Sequence, residues 1–160
     1  MHRPRLRKVA GLCTIVVALA AASTASAMTT TIGDVDLIGK VALTVPVTVT
    51  CDPPSAGLVI SGQTVSVVLE QAAGKQIARA SGAVSGFSPT TLFPCDGTAT
   101  SLSVSVLADP AGPPFHGGKA VARVTVTSEA GVPLACCPGA FMGPFERQTA
   151  VAGPIAVKIG

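Results

Sequence analysis

Two adjacent cysteines, Cys136 and Cys137, are the residues whose types and spacing point most directly to chemistry. Vicinal thiols can exchange disulfides, bind a metal or cross-link to a second chain. A bond between the two neighbours closes a strained eight-membered ring. Redox exchange is disfavoured, because the chain has no CxxC motif and no nearby Lys or His to lower a thiol pKa. A structural vicinal bridge, or pairing of either residue with another cysteine, remains open.

Cys51 and Cys95 complete a set of four cysteines in the part of the chain after residue 27. Four cysteines allow three connectivities. Pairing of Cys51 with Cys95 is favoured, because Cys51 ends an inward-facing strand and Cys95 stands just before the turn dipeptide Asp96-Gly97. Such a bridge closes a loop of about 45 residues and contributes about 4 kcal/mol on the chain-entropy model.

The other reactive side chains do not assemble into a recognisable catalytic motif. His116, in PPFHGG, is the only histidine after residue 27, and the chain has neither HExxH nor a GxSxG elbow. Asp34 and Asp36 share one face of a short strand, but calcium requires six or more oxygen ligands. We therefore predict a non-catalytic protein without a metal site or other cofactor, and we expect His116 in an exposed loop.

Phenylalanine is the only aromatic residue type in the chain, which lacks Trp and Tyr. Phe141, Met142 and Phe145, in CCPGAFMGPFE, either cap one end of the core or form an exposed apolar loop beside the double cysteine. The exposed alternative predicts a contact patch for a partner protein, a membrane surface or a small apolar ligand. Phe115 and His116 are candidates for the same patch.

The N-terminal residues 1–27, MHRPRLRKVAGLCTIVVALAAASTASA, have the pattern of an export signal. Four cations precede an uncharged apolar run, and small residues end the segment. We predict a cleavable signal helix, a mature chain that starts near Met28, and a secreted protein that is released or retained at the cell surface. The apolar run of roughly 14 residues is short of the ~20 that a spanning helix needs, so no stable transmembrane anchor is expected after cleavage.

Removal of this segment changes the charge balance of the protein. Four of the 11 Lys and Arg residues lie in it, which leaves 7 cations against 8 Asp and Glu, so the formal charge falls from +3 to −1. A nearly neutral domain without Trp or Tyr has neither the basic surface nor the stacking platform of a nucleic-acid binder. We expect no nucleic-acid partner.

Alternation of apolar and polar residues is the dominant pattern of residues 28–160, which we predict to be a single domain. Five runs place every second residue inward: residues 41–51, 65–69, 102–106, 122–126 and 155–159. Pro46 predicts an edge strand, or a break into two shorter strands at a bulge. Turns are predicted at Ala73-Gly74, at Asp96-Gly97 and at Glu129-Ala130-Gly131.

This pattern predicts an all-β fold of about seven or eight short antiparallel strands, with an immunoglobulin-like sandwich favoured over a small barrel. The segments VTVTCDPP, VSVVLEQAAGKQIARASG, PCDGTATSLSVSVLAD and PFHGGKAVARVTVT, within residues 41–128, resemble small secreted immunoglobulin-like proteins of actinobacteria. The residues that mark this resemblance are Cys51, Gln71, Gly74, the 95–97 turn, Phe115, Gly118 and Ala120. The resemblance implies a sandwich with a Cys51–Cys95 bridge, but no activity.

The leading functional hypothesis is a secreted, non-catalytic immunoglobulin-like domain with a structural or interaction role. An alternative is a carrier that shelters a small apolar ligand, as the secreted neocarzinostatin-type apoproteins do on a similar sandwich. The carrier hypothesis requires a cleft lined by residues such as Phe115, Phe141 and Met142. A redox or metal role for Cys136 and Cys137 is a third possibility.

Overall fold

The computed structural model describes residues 27–39 and 41–160, which form an all-β antiparallel structure of eight strands without helices. The prediction of an all-β fold with about seven or eight strands is confirmed. The predicted signal sequence, apart from Ala27, lies outside the described residues. The strands are β1 Met28–Ile32, β2 Asp36–Ile38, β3 Ala42–Cys51, β4 Val59–Ala73, β5 Gln76–Phe87, β6 Ala99–Ala108, β7 Gly118–Pro133 and β8 Phe141–Ile159.

All eight strands belong to one barrel-like sheet. Their order is β1-β3-β6-β5-β4-β7-β8, and β2 pairs with β3 beside β1. The two ends of this order meet at Val35, which forms a parallel bridge with Ile159. Two hydrogen bonds hold the closure: Val35 N–H donates to Lys158 O at 2.9 Å, and Gly160 N–H donates to Val35 O at 3.0 Å.

The pairing between β5 and β6 is the shortest contact between neighbours in this order. It consists of Ala80 opposite Ala108 and Ser81 opposite Leu107. Beside it, Gly82 lies so close to β6 that a Cβ at this position would stand 2.3 Å from Ser105 O. The short seam and the Val35–Ile159 closure divide the sheet into two halves, one with β1, β2, β3 and β6 and the other with β5, β4, β7 and β8.

The inward-facing residues of the two halves form one apolar core, because alternate side chains of each strand share a face. The alternation is strongest in β3, where every second residue from Leu43 to Cys51 is buried. Val41 and Ile155 do not follow the predicted pattern. Val41 precedes β3 and is 66% exposed, and Ile155 follows an irregularity in the pairing of β8 that turns its side chain outward.

Pro46 neither ends nor interrupts β3, which contradicts the prediction of an edge or a bulge. On one side Pro46 lies opposite Ser103 in the continuous pairing with β6. On the other side the neighbouring strand is interrupted instead, between the end of β1 at Ile32 and the start of β2 at Asp36. Gly33 in this gap donates its N–H to Pro46 O at 3.0 Å. The missing N–H of Pro46 therefore costs no strand pairing.

Two of the three predicted turns are present. Gly74, with φ of +64°, lies in the tight turn between β4 and β5, and Gly97, with φ of +83°, follows Asp96 before β6. The third prediction is wrong, because Glu129, Ala130 and Gly131 lie within β7. Ala130 is buried and continues the alternation of that strand, so the chain does not turn there.

Each end of the barrel-like sheet is closed by a loop that carries a buried phenylalanine. At the cysteine end, formed by residues 52–58, 88–98 and 134–140, Phe93 is buried, and Gln63 accepts its N–H at 3.1 Å. At the histidine end, formed by residues 74–75 and 109–117, Phe115 is buried, and Gln71 pairs with the backbone of the next residue, His116. Gln63 and Gln71 both face inward from β4 and hold these loops through their side-chain amides.

Candidate functional site

The predicted bridge between Cys51 and Cys95 is present, with an S–S distance of 2.06 Å. It joins the end of β3 to the loop before β6, at the cysteine end. Cys51 is fully buried and its sulfur lies 3.5 Å from the side-chain oxygen of Gln148, while the Cys95 sulfur lies 3.6 Å from the Ser128 hydroxyl. Cys51 is part of the core, and Cys95 is half-buried and packs against it.

Cys136 and Cys137 are free, exposed thiols in the loop between β7 and β8. Their pairing with Cys51 or Cys95 is ruled out, because those two residues bond to each other. Cys137 Sγ donates to Cys136 Sγ over 3.0 Å. This hydrogen bond, with a smaller contribution from desolvation, raises the pKa of the Cys137 thiol above its ordinary value of 9.0. A raised pKa leaves less thiolate at neutral pH, which lowers nucleophilic reactivity.

The residues of the predicted apolar patch lie at opposite ends of the molecule. Phe115 is 3% exposed at the histidine end, and His116 beside it is exposed, with Nδ1 2.9 Å from Gly117 O. Phe141, Met142 and Phe145 lie at the cysteine end. The 16-residue strand β7 runs between the two groups, so one cleft cannot contain Phe115, Phe141 and Met142 together.

At the cysteine end, the predicted residues are largely accessible. Met142 is 51% exposed, Phe145 is 62% exposed, and Phe141 is half-buried. Phe145 is held against Gly131 of β7, where an added Cβ would lie 2.8 Å from the phenylalanine ring. The ring therefore covers bare backbone on one side and is open to solvent on the other.

A second phenylalanine on the same outer surface repeats this arrangement. Phe87 is 67% exposed, and its ring lies over Gly62, where an added Cβ would be 3.2 Å from the ring. Pairing across four strands aligns Phe87, Gly62, Glu129 and Arg147 in one row. Glu129 and Arg147 form an ion pair in this row. We call Phe87, Phe145, Glu129 and Arg147 the phenylalanine face.

Hydroxyl groups border the phenylalanine face. The next row across the same strands consists of Ser85, Thr64, Thr127 and Thr149. Thr64 and Ser85 are hydrogen-bonded to each other at 3.1 Å. The surface thus combines two supported aromatic rings and an arginine, which are residue types enriched at protein interfaces, with a polar border like the rim of an interface.

Sequence reasoning did not identify Phe87, Glu129 or Arg147 as site residues. Phe145 was identified from its position near the double cysteine. Phe87 lies 58 residues earlier in the sequence, and only the register of β4 with β5 and β7 brings it to the same surface. Gly62, within β4, and Gly131, within β7, are the available sequence signal. An isolated glycine in a strand marks a close approach of another group.

A separate apolar cleft lies beside the seam between β5 and β6. Its volume is about 420 Å³, and residues of the 109–117 loop form one wall. It adjoins a second cleft of about 460 Å³, with which it shares Leu107, Ala108, Asp109 and Pro110. Its remaining lining residues are Val41, Gly112, Pro113 and Pro114. Both clefts open at the surface and do not enter the core.

Three comparisons with known proteins provide no relative. The chain matches no protein-family model, no curated protein and no solved structure. Within the described residues, no group of three or more His, Cys, Asp or Glu side chains is arranged to hold a metal ion. The same residues contain no helix that is long and apolar enough to cross a membrane.

Proposed function

We propose that this chain is a secreted, non-catalytic module of the immunoglobulin-like sandwich type, which binds an extracellular partner through the phenylalanine face. The short β5–β6 seam supports the sandwich assignment, because the two halves of the sheet face each other across one core, as the sheets of a sandwich do. The Cys51–Cys95 bridge supports an oxidising location, since disulfides persist mainly outside the cytosol.

The observation that carries the interaction role is the pair of exposed rings supported on glycine. An aromatic ring that rests on backbone loses little conformational freedom when a partner covers its other side. Arg147 lies two residues from Phe145 along β8 and at the other end of the row from Phe87. Arginine is enriched in binding hot spots. We propose a protein as the occupant, because phenylalanine and arginine are enriched at protein interfaces. We place this partner in the cell envelope, because the proposed export signal takes the chain there.

The partner proposal can be tested by cosedimentation of the purified protein with isolated envelopes of the cells that produce it. We expect the wild type to cosediment, and the F87S/F145S variant to lose at least about 90% of the bound protein, as removal of two hot-spot residues implies. Protease treatment of the envelopes should abolish binding. L107S is the matched control, because Leu107 is equally exposed but lies at the β5–β6 seam. Equal binding by all three proteins would overturn the proposal.

A small apolar ligand in the seam cleft is a second candidate function. The cleft volume of about 420 Å³ falls in the range of drug-sized ligand sites, and Val41, Leu107 and three prolines provide an apolar lining. This location replaces the cleft predicted from Phe115, Phe141 and Met142. Organic extraction of the natively purified protein should release a bound molecule, and L107E should release much less. An empty extract from the wild type would reject the carrier function.

The export proposal has its own test. Protein recovered from the medium or the cell surface should begin at or near Met28, as determined by N-terminal sequencing. Recovery of the chain only from the cytosol, with its N-terminus intact, would contradict a secreted location.

A further inference from the structure

The loop that carries Cys136 and Cys137 is a pair of fused turns. Cys137 N–H donates to Leu134 O at 3.2 Å, and Ala140 N–H donates to Cys137 O at 3.0 Å. Leu134 N–H closes the loop by donating to Ala140 O, also at 3.0 Å. These backbone hydrogen bonds hold the two cysteines in consecutive positions of a tight loop, and both thiols remain exposed.

The arrangement brings two soft donor atoms within 3.0 Å of each other. A direct S–S bond between neighbouring residues requires an eight-membered ring and distorts the peptide within it. One atom inserted between the sulfurs enlarges the ring to nine members and removes much of that distortion. Thiolate sulfur selects thiophilic elements over hard cations such as Ca²⁺ and Mg²⁺.

The sulfur separation distinguishes between geometries of the bound atom. With bonds of about 2.3 Å, the length of a zinc–thiolate bond, a tetrahedral centre holds two sulfurs about 3.8 Å apart, while an S–X–S angle near 90° brings them to about 3.3 Å. The observed 3.0 Å between the free thiols is shorter than both values, so the sulfurs must move apart in either case, and the second geometry requires the smaller movement. A tetrahedral zinc also needs four ligands, and the described residues contain no cluster of even three candidate side chains. The site therefore suits a pyramidal, thiophilic centre.

We propose that Cys136 and Cys137 form a two-sulfur binding site for trivalent arsenic species. Arsenic(III) is pyramidal and binds two adjacent thiols without a change of oxidation state. With phenylarsine oxide as the probe, the As–O bond is lost and two As–S bonds form. The two thiol protons leave with the oxide oxygen as one molecule of water. The step needs no oxidant and releases no free protons.

This proton balance separates the proposed ligand from a divalent ion. Binding of Cd²⁺ by two thiols releases two protons, so its affinity rises about 100-fold per pH unit below the thiol pKa values. Binding of phenylarsine oxide should change less than about threefold between pH 6 and pH 8 on the same linkage argument.

The test uses the full mature protein after mild phosphine treatment and removal of the phosphine. Native alkylation should modify two thiols, since Cys51 and Cys95 are bonded to each other and Cys51 is buried. The wild type should bind one molecule of phenylarsine oxide and keep it bound when an excess of a monothiol is added as a competitor. We expect C136S and C137S to bind at least about 100-fold more weakly, because each loses the effective concentration of the second thiol. Both serine variants should unfold at the same temperature as the wild type.

Three results would contradict the proposed arsenic site. The first is affinity in either single variant equal to that of the wild type. The second is failure of the two thiols to alkylate after phosphine treatment, which would show that they are inaccessible. The third is tighter binding of Cd²⁺ than of phenylarsine oxide at pH 7. None of these results bears on the phenylalanine face, so the arsenic site and the proposed partner function fail independently.

Discussion

The side-chain amide of Gln71 forms hydrogen bonds in both directions with the backbone of His116. Its Nε2 donates to His116 O at 2.8 Å, and its Oε1 accepts the His116 N–H at 3.0 Å. A buried side chain thus pairs with the loop as a neighbouring strand would. This pairing fixes the residue that follows Phe115, and it holds the phenyl ring in the histidine end of the core.

The Q71L variant should destabilise the protein by about 2 kcal/mol, because it leaves the backbone N–H and carbonyl of His116 without their partner. Chemical denaturation followed by circular dichroism measures the change. Q76L on the same hairpin is the control, since Gln76 is exposed and should change stability by less than about 0.5 kcal/mol. A Q71L protein as stable as the control would show that the pairing contributes nothing.

The double variant C51A/C95A should lose about 4 kcal/mol of unfolding free energy, because the bridge closes a long loop in the unfolded chain. C136A/C137A removes two exposed thiols and should leave stability unchanged. Urea titration of the three proteins compares them directly. If C136A/C137A were the less stable variant, the vicinal cysteines and not the buried pair would be the structural ones.

Gly82 should tolerate no side chain. An added Cβ would lie 2.3 Å from Ser105 O and 3.0 Å from Val106 Cα, and both atoms belong to the β6 backbone. We expect G82A to separate β5 from β6 and to destabilise the protein by about 3 kcal/mol, as in other overpacked cores. S81A, one residue away and exposed, is the matched control for thermal denaturation. Similar melting temperatures would mean that the seam can widen without cost.

Acid should loosen the turn before β6. The hydroxyl and the backbone N–H of Thr98, at 2.6 Å and 2.9 Å from the carboxylate, hold the pKa of Asp96 below its ordinary 3.8. The pKa is depressed in the folded state, so this stabilisation is present above pH 3.8 and is lost as the pH falls through the lower folded value. NMR titration of Asp96 in the wild type and T98V should show the variant pKa returning toward 3.8. An unchanged pKa would remove the Thr98 hydroxyl as a cause.

Local chemistry explains which parts of the fold the sequence could predict. Alternation identified the buried faces around Leu43, Val65 and Val124, and a positive φ at Gly74 and Gly97 follows from the turn preference of glycine. The effect of Pro46 was missed, because it falls on the neighbouring strand, where β1 gives way to β2. The sequence of β3 alone does not show that the neighbouring strand is interrupted opposite Pro46.

The candidate site was less predictable, because strand register determines it. Phe145 and Met142 were identified from a local run of apolar residues. Phe87 joins the phenylalanine face only because Gly62 pairs with it on one side and with Glu129 on the other. A shift of one residue in either pairing would place Phe87 beside different groups. Phe115 was assigned to the exposed patch because the local sequence does not show that the next residue, His116, pairs with Gln71 of β4.

The backbone pairing between Val35 and Ile159 also determines when folding can finish, because Ile159 belongs to the last strand, β8. A chain that emerges from a ribosome or a translocation channel N-terminus first presents β1 and β2 long before their closing partner exists. The free edge of β1 and β2 stays unpaired until β8 has emerged. Pairing between strands so far apart in the sequence is slow. We expect the emerging chain to depend on a holding factor, and a protein stalled before β8 to be the species most open to proteolysis and self-association.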